Sequence, residues 1–281
     1  MPHAQDPTPG LTVTCHGCRG SVPVSGPKFH RYGGGTTCLE IELSAEHRLL
    51  VDAGTGALAI HDTLPVGTPL HFSVLVTHLH WDHTFALPFF KPFYDPANRF
   101  DFYGHHVAGM RIDDALDIVM RPPWFPVNFR STPAQKRFHH VEDQPFEIED
   151  LLITPARLHH PDGVTAYRIE RNGVSLALAT DVEHGEADSD RKLRAIAEGA
   201  DVLIYDAQYL PDEYETGKVG WGHSTWAEAV VLARECQVGR LILTSHDPSR
   251  SDDEIDKILA MARAEFPNTD AFYEGMVIEV R

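Results

Sequence analysis

The sequence predicts an α/β chain. Short apolar runs such as Val74-Leu75-Val76 and Val202 to Tyr205 have the length and composition of buried strands. Segments with helical spacing of apolar residues, such as Val107 to Met120 and Asp188 to Glu198, fall between such runs. Several of the apolar runs stop at a residue able to bind a metal or a proton, namely His78, Asp181, Asp206 and His246. Polar residues at strand ends are where sites on open sheets are built.

The chain has 281 residues, 42% of them hydrophobic, enough for a sizeable core. No linker or low-complexity segment divides it, so residues 1–281 read as one domain. No run approaches the roughly 18 apolar residues of a membrane span. The opening MPHAQDPTPG lacks the basic-then-apolar pattern of a signal peptide, and the expected location is cytoplasmic. The formal charge is −17, from 24 basic and 41 acidic side chains. Long nucleic acids are bound mainly through Lys and Arg, and no Lys/Arg-rich run occurs, so a small anionic partner is the better expectation.

Leu11 to Cys15 alternates apolar residues with Thr and reads as an edge strand. Cys15 and Cys18 have C-x-x-C spacing, but no second pair completes a four-cysteine zinc site, and they read as reduced cysteines. Gly33-Gly34-Gly35 lacks the Lys-Ser or Lys-Thr pair of a phosphate loop, so close approach of backbones is the better reading. Cys38 to Leu43 and Leu49 to Val51 form a hairpin that ends at Asp52. That carboxylate reads equally as a turn former or as a support for the histidine loop that follows.

The loop is Thr77-His78-Leu79-His80-Trp81-Asp82-His83. His78 and His80 point the same way on an extended backbone. If the chain then turns into a helix, Asp82 and His83 approach the same point from a second direction. Three imidazoles and a carboxylate suit zinc, iron or manganese. The aromatic patch Phe85 to Tyr94 reads as core that also walls the pocket, and Arg121 to Pro133, with four prolines, reads as a surface loop.

Leu151 to Leu158 leads to His159-His160-Pro161. A residue before proline is held extended, which points His160 rather than His159 inward. Val164 to Glu170 and Val174 to Ala179 form a hairpin around Asn172-Gly173. Thr225 and Glu228, and again Ser251 and Glu254, have capping-box spacing and start the last two helices, ending near Cys236 and Phe266. Leu241 to Thr244 and Phe272 to Val280 supply the last strands.

The glycine loop after RGSVP, VDAGTG, THLHWDH, the His-Pro pair, ATD, GWGHST and SHDP together resemble metallo-β-lactamase-fold hydrolases, closest to the branch of RNase Z and related phosphodiesterases. The resemblance covers nearly the whole chain. It implies a four-layer αββα sandwich with two divalent metal ions, zinc first, manganese or iron as rivals. It implies that His78, His80 and His160 hold one ion, that Asp82, His83 and His246 hold the other, and that Asp181 bridges them. Catalytic roles fall to His223, facing the substrate phosphate, to its partner Asp206, and to Asp82. A homodimer is compatible with such relatives.

Asp206-Ala207-Gln208-Tyr209 departs from the His-Glu-Ala-Thr run of RNase Z, and no basic insertion for gripping tRNA is present. The expected activity is therefore hydrolysis of small phosphodiesters such as cyclic nucleotides. The alternatives are a lactone, thioester or β-lactam hydrolase with the same centre, or a metal-stabilised binding protein without catalysis.

Overall fold

In the computed structural model, which describes residues 10–107 and 109–281, two seven-stranded mixed sheets lie face to face between helices. The first half of the chain lays down β1 (Leu11–Gly17), β2 (Cys38–Glu42), β3 (His47–Val51), β4 (His71–Leu75), β5 (Arg99–Gly104) and β6 (Gln135–His140). The second half builds the other sheet from β7 (Phe146–Ile148), β8 (Leu151–Leu158), β9 (Val164–Arg171), β10 (Val174–Ala179), β11 (Val202–Asp206), β12 (Arg240–Thr244) and β13 (Thr269–Ala271). Then β14 (Val277–Val280) crosses back, giving the orders β14-β1-β2-β3-β4-β5-β6 and β13-β12-β11-β10-β9-β8-β7. The helices are α1 (Trp81–Thr84), α2 (Ile112–Val119), α3 (Ala187–Ala197), α4 (Pro211–Gly217), α5 (Trp226–Glu235) and α6 (Asp252–Glu265).

Strand alternation sorts the side chains into three cores. Leu49, Val51, Ile204 and Ile242 point between the sheets. Their neighbours Leu203, Tyr205, Leu241 and Leu243 pack instead against α3, α5 and α6. On the far side, Leu50, Phe72, Phe100 and Phe102 meet α2 and the run from Ala86 to Phe93. This is the αββα sandwich expected.

Several boundaries differ from the sequence reading. β1 is not an edge strand, because β14 pairs outside it, with Leu11 opposite Val280. The closing strand expected over Phe272 to Val280 divides: β13 ends at Ala271, and a turn with Gly275 at φ 83° carries the chain to β14 in the other sheet. The helix expected from Val107 starts at Ile112, since Val107 pairs with Met110 around Gly109 at φ 75°. β5, β6, β7 and α4 were not anticipated. Within the aromatic patch Phe90 and Phe93 are core, whereas Phe85 and Phe89 are exposed. The reading of the opening MPHAQDPTPG lies, save for Gly10, outside the described residues. Among the described residues, no helix is long and apolar enough to cross a membrane.

The glycine loop closes on the chain itself. A Cβ on Gly34 would stand 1.9 Å from the Val24 carbonyl oxygen, and the amides of Gly34 and Gly35 donate to Glu274. The anion in this loop is an internal carboxylate, as a close approach of backbones requires.

At the end where β3, β4 and β5 begin, the space between the sheets is polar. The rings of His47 and His71 stack at 3.7 Å, and Asp101 receives His71 Nε2 at 2.7 Å, His139 Nε2 at 2.8 Å and Arg99 at 2.6 Å. Burial alone would raise the Asp101 pKa, but the bonds from His139, His71 and Arg99 hold it below the usual value. Its contribution to stability is therefore complete above the unfolded-state pKa of about 3.9 and is lost as pH falls through the folded value. Asp101→Asn should destabilise the fold by about 1–3 kcal/mol at neutral pH. A urea midpoint equal to that of the parent would contradict this account.

Candidate metal centre

The carboxyl ends of β4, β10, β11 and β12 meet at one edge of the sandwich. After β4 the chain stays extended through His78 and His80, then turns into α1, whose first turn is closed by the His83 amide on the His80 carbonyl at 3.0 Å. That turn brings Asp82 and His83 back beside His78. Ring centroids lie 4.4 Å apart for His78 and His80, and 4.2 Å apart for His78 and His83.

Nitrogens of His78, His80 and His160 lie within 4.8 Å of one another, and so do the donor atoms of His78, His83 and Asp181. His160 enters from the segment after β8, while His159 remains exposed. Asp181 adopts φ 54° at the end of β10, which Asp tolerates better than most residues. Its Oδ2 stands 3.1 Å from His83 Nε2, 3.8 Å from His78 Nε2 and 3.9 Å from His223 Nε2. Asp82 Oδ2 is 3.4 Å from His83 Nε2 and accepts the Ser21 amide at 2.7 Å.

The far sides of the His83 and His160 rings are held. Asp52 accepts His83 Nδ1 at 2.7 Å and also takes the Thr77 amide at 2.8 Å and hydroxyl at 2.6 Å. Asp52 is thus the support for the histidine loop. His160 Nδ1 donates to the Gly222 carbonyl at 2.6 Å, which leaves Nε2 bare and 3.1 Å from His80 Nδ1. Fixing one ring nitrogen so that the other presents its lone pair is the usual preparation of a ligating histidine.

The residues fit a metal ion. His78 Nε2 is buried with no hydrogen-bond partner. Burial holds His78 well below the ordinary imidazole pKa and His160 down at about 4, so both rings are neutral and offer lone pairs. At His83 burial also opposes charge, but Asp181, Asp82 and Asp52 overcome it and raise its pKa well above the ordinary value. The field at that point favours a cation of any kind.

His246 does not join them. β12 ends at Thr244, and Ser245, at φ 56°, is the residue that faces Asp181, its hydroxyl donating to Oδ1 at 3.1 Å. The next side chain must point elsewhere. His246 Nε2 donates to the Phe272 carbonyl at 3.0 Å, and the ring meets the edge of Tyr32. The sequence reading set His246 beside Asp181; the residue that stands there is Ser245.

His223 and Asp206 are brought together as expected. Asp206 Oδ2 accepts His223 Nδ1 at 2.7 Å, and Asp206 Oδ1 accepts the Ser224 amide at 2.9 Å. Burial would lower the pKa of this ring, but Asp206 and Asp181 raise it to about 9, so it is protonated at neutral pH. Glu183, which sequence reasoning passed over, fixes the loop that carries His223. Its carboxylate accepts the amides of Gly220 at 2.6 Å and Gly222 at 2.7 Å. Two residues after Asp181, it carried no motif by which to be found. A cavity of about 530 Å³ opens over His80, Asp82, His160, Asp181 and His223, bordered by Ser21, Trp81, Tyr209 and Trp221. Cys15, in β1, and Cys18, just after it, are free and buried.

A family model described as "Beta-lactamase superfamily domain" matches residues 47–246. Ribonuclease Z of Shouchella clausii is 26% identical over 256 residues, covering 74% of this chain and 79% of that protein. Among solved structures, the metallo-beta-lactamase fold protein YhfI from Bacillus subtilis superposes with a TM-score of 0.72 at 22% identity, over 97% of this chain and 100% of its own. A diphosphatase of the PhnP family gives 0.71 at 18% identity, over 96% and 98% of the two chains. The family match runs from the first residue of β3 to the residue beyond Ser245 and so takes in every strand end that borders the cavity; the chain belongs to the beta-lactamase superfamily and has the metallo-β-lactamase fold.

Proposed function

We propose that the protein is a metal-dependent phosphodiesterase acting on small phosphodiesters, cyclic nucleotides among them. The observation that carries this reading is the His223–Asp206 pair: Asp206 accepts Nδ1 at 2.7 Å and leaves Nε2 beside Asp181 in the cavity of the histidine cluster. A buried imidazole held by a carboxylate and aimed at the ligand set suits a substrate that brings negative charge; a lactone or thioester carbonyl brings far less. Ribonuclease Z and the PhnP-family diphosphatase are named for reactions at phosphorus, which supports the same bond here. The net charge of −17 and a cavity of about 530 Å³ support a small diester over a long RNA.

In this proposal His78, His80, His160 and Asp181 hold one divalent ion, and Asp82, His83 and Asp181 hold a second with one imidazole fewer than expected. Zinc is the first choice for the imidazole-rich set, with manganese and iron able to use the same donors. Such ions, when bound, supply Lewis acidity and acidify water near neutral pH. His223 points Nε2 into the cavity because Asp206 holds Nδ1. From there it donates a hydrogen bond to a phosphoryl oxygen and hands its proton to the departing alkoxide. Asp206 keeps the ring charged before the transfer and oriented after it. Asp82, itself tied to Ser21, orients the reacting face.

Metal-loaded protein assayed in parallel on bis-p-nitrophenyl phosphate, a cyclic nucleotide panel and an acyl lactone should hydrolyse the diesters. Turnover of the lactone alone would refute the proposal. Asp181→Ala should lose bound metal and nearly all hydrolysis, whereas His246→Ala should keep the parent's metal content on elemental analysis. Loss of metal from the His246 variant would show that its ring swings inward when an ion is present. His223→Ala should lower turnover by about 10² to 10⁴ without metal loss. The drop should be smaller for a p-nitrophenyl leaving group, which departs unprotonated. An equal drop for alkyl leaving groups would exclude proton donation.

A further inference from the structure

Two tryptophans stand at the mouth of the cavity, one from each sheet. Trp81 lies between His80 and Asp82 as the first residue of α1 and is 71% exposed. Trp221 lies two residues before His223 in the second half of the chain and is 58% exposed. An indole left in water forfeits much of its burial energy, so a pair of them bordering one cavity calls for an occupant.

The mounting of Trp221 is rigid. The residues on either side are glycines in the left-handed region, Gly220 at φ 84° and Gly222 at φ 85°. Both of their amides are clamped by the one carboxylate of Glu183. The Trp221 amide donates to the Lys218 carbonyl at 3.1 Å, and Lys218 Nζ sits 3.7 Å from the ring centroid. The cation supports the ring, and a substantial part of the residue still faces solvent at the cavity. The backbone of Trp81 is placed by its two neighbours in the cluster, and its ring lies 6.0 Å from that of Phe85, centroid to centroid. Rings held in place before binding lose little entropy when a flat partner arrives.

We propose that Trp81 and Trp221 stack on a planar aromatic group carried by the substrate, so that the enzyme selects phosphodiesters of nucleosides or aryl alcohols over alkyl ones. This rests on the phosphodiesterase reading for the phosphorus bond, but the aromatic subsite is a claim about binding alone. The cavity volume of about 530 Å³ falls within the usual range for one small ligand and holds a single nucleotide. Stacking is indifferent to which base is presented, because every base has a π-face. The preference should therefore be for aromaticity and not for one nucleobase.

The test compares adenosine 5′-monophosphate with ribose 5-phosphate, which carries the same phosphate without the base, by isothermal titration of the metal-loaded protein. The parent should bind the nucleotide at least about tenfold more tightly, the lower range for one stacked base. Trp221→Ala and Trp81→Ala should each reduce that preference, Trp221→Phe should retain it, and ribose 5-phosphate should bind the Trp221 variants as it binds the parent. Indole fluorescence should be quenched by the nucleotide in the parent and less so in Trp221→Ala. Equal affinity for the two ligands, no binding of either, or a preference that survives both alanine substitutions would overturn the proposal. Failure of the phosphodiesterase reading shows separately, as absence of diester hydrolysis by a protein that still prefers the nucleotide.

Discussion

Everything at the cavity edge depends on one carboxylate. Asp181 ends β10 in a left-handed conformation and meets His83, His78 and His223 through one oxygen and the Ser245 hydroxyl through the other. Its own amide donates to Asp206 Oδ2 at 3.0 Å, so it is also bonded to the partner of His223. Burial would drive this group to its neutral acid, but the imidazoles of His83 and His223 hold its pKa well below the usual value. A negative charge kept in a dry site needs positive charge around it, and the surrounding histidines answer that need. The cluster is compact for this reason and not only because loops happen to meet there.

The support beneath the cluster follows the same logic. Asp52 and Asp206 end strands of opposite sheets, and each takes the outer nitrogen of one histidine. Glu183 does for backbone what these two do for rings. Each contact removes a freedom that the site would otherwise have to lose on binding.

Much of this was legible in the residues. The short apolar runs gave strands of both sheets near the site, and their ends pointed to His78, Asp181 and Asp206 without any coordinates. The Pro161 constraint pointed to His160 over His159, and the structure buries the first and exposes the second. Other features were not legible. β5 and β6 carry Arg, Asp and His on the face between the sheets, so their pattern is not that of an apolar strand. The direction of the His246 ring was one of these, because the left-handed Ser245 turns its own hydroxyl toward Asp181 and the next ring toward the Phe272 carbonyl. Glu183 and Ser21 act through backbone amides brought from far along the chain, and such partners leave no local trace.

The pairing of β1 with β14 has a consequence in time. Leu11 is among the first described residues to be synthesised, yet its partner Val280 is among the last. While a ribosome is still making the second sheet, β1 has β2 on one side and bare amides and carbonyls on the other. An uncovered strand of this kind invites pairing with another nascent chain. The Cys15 amide donates to the Met276 carbonyl and the Cys15 carbonyl accepts the Gly275 amide, so the late segment also holds the strand that leads to Ser21. The frame of the cavity mouth thus draws on residues 275–280, and a polypeptide halted before them carries the histidine loop without that frame.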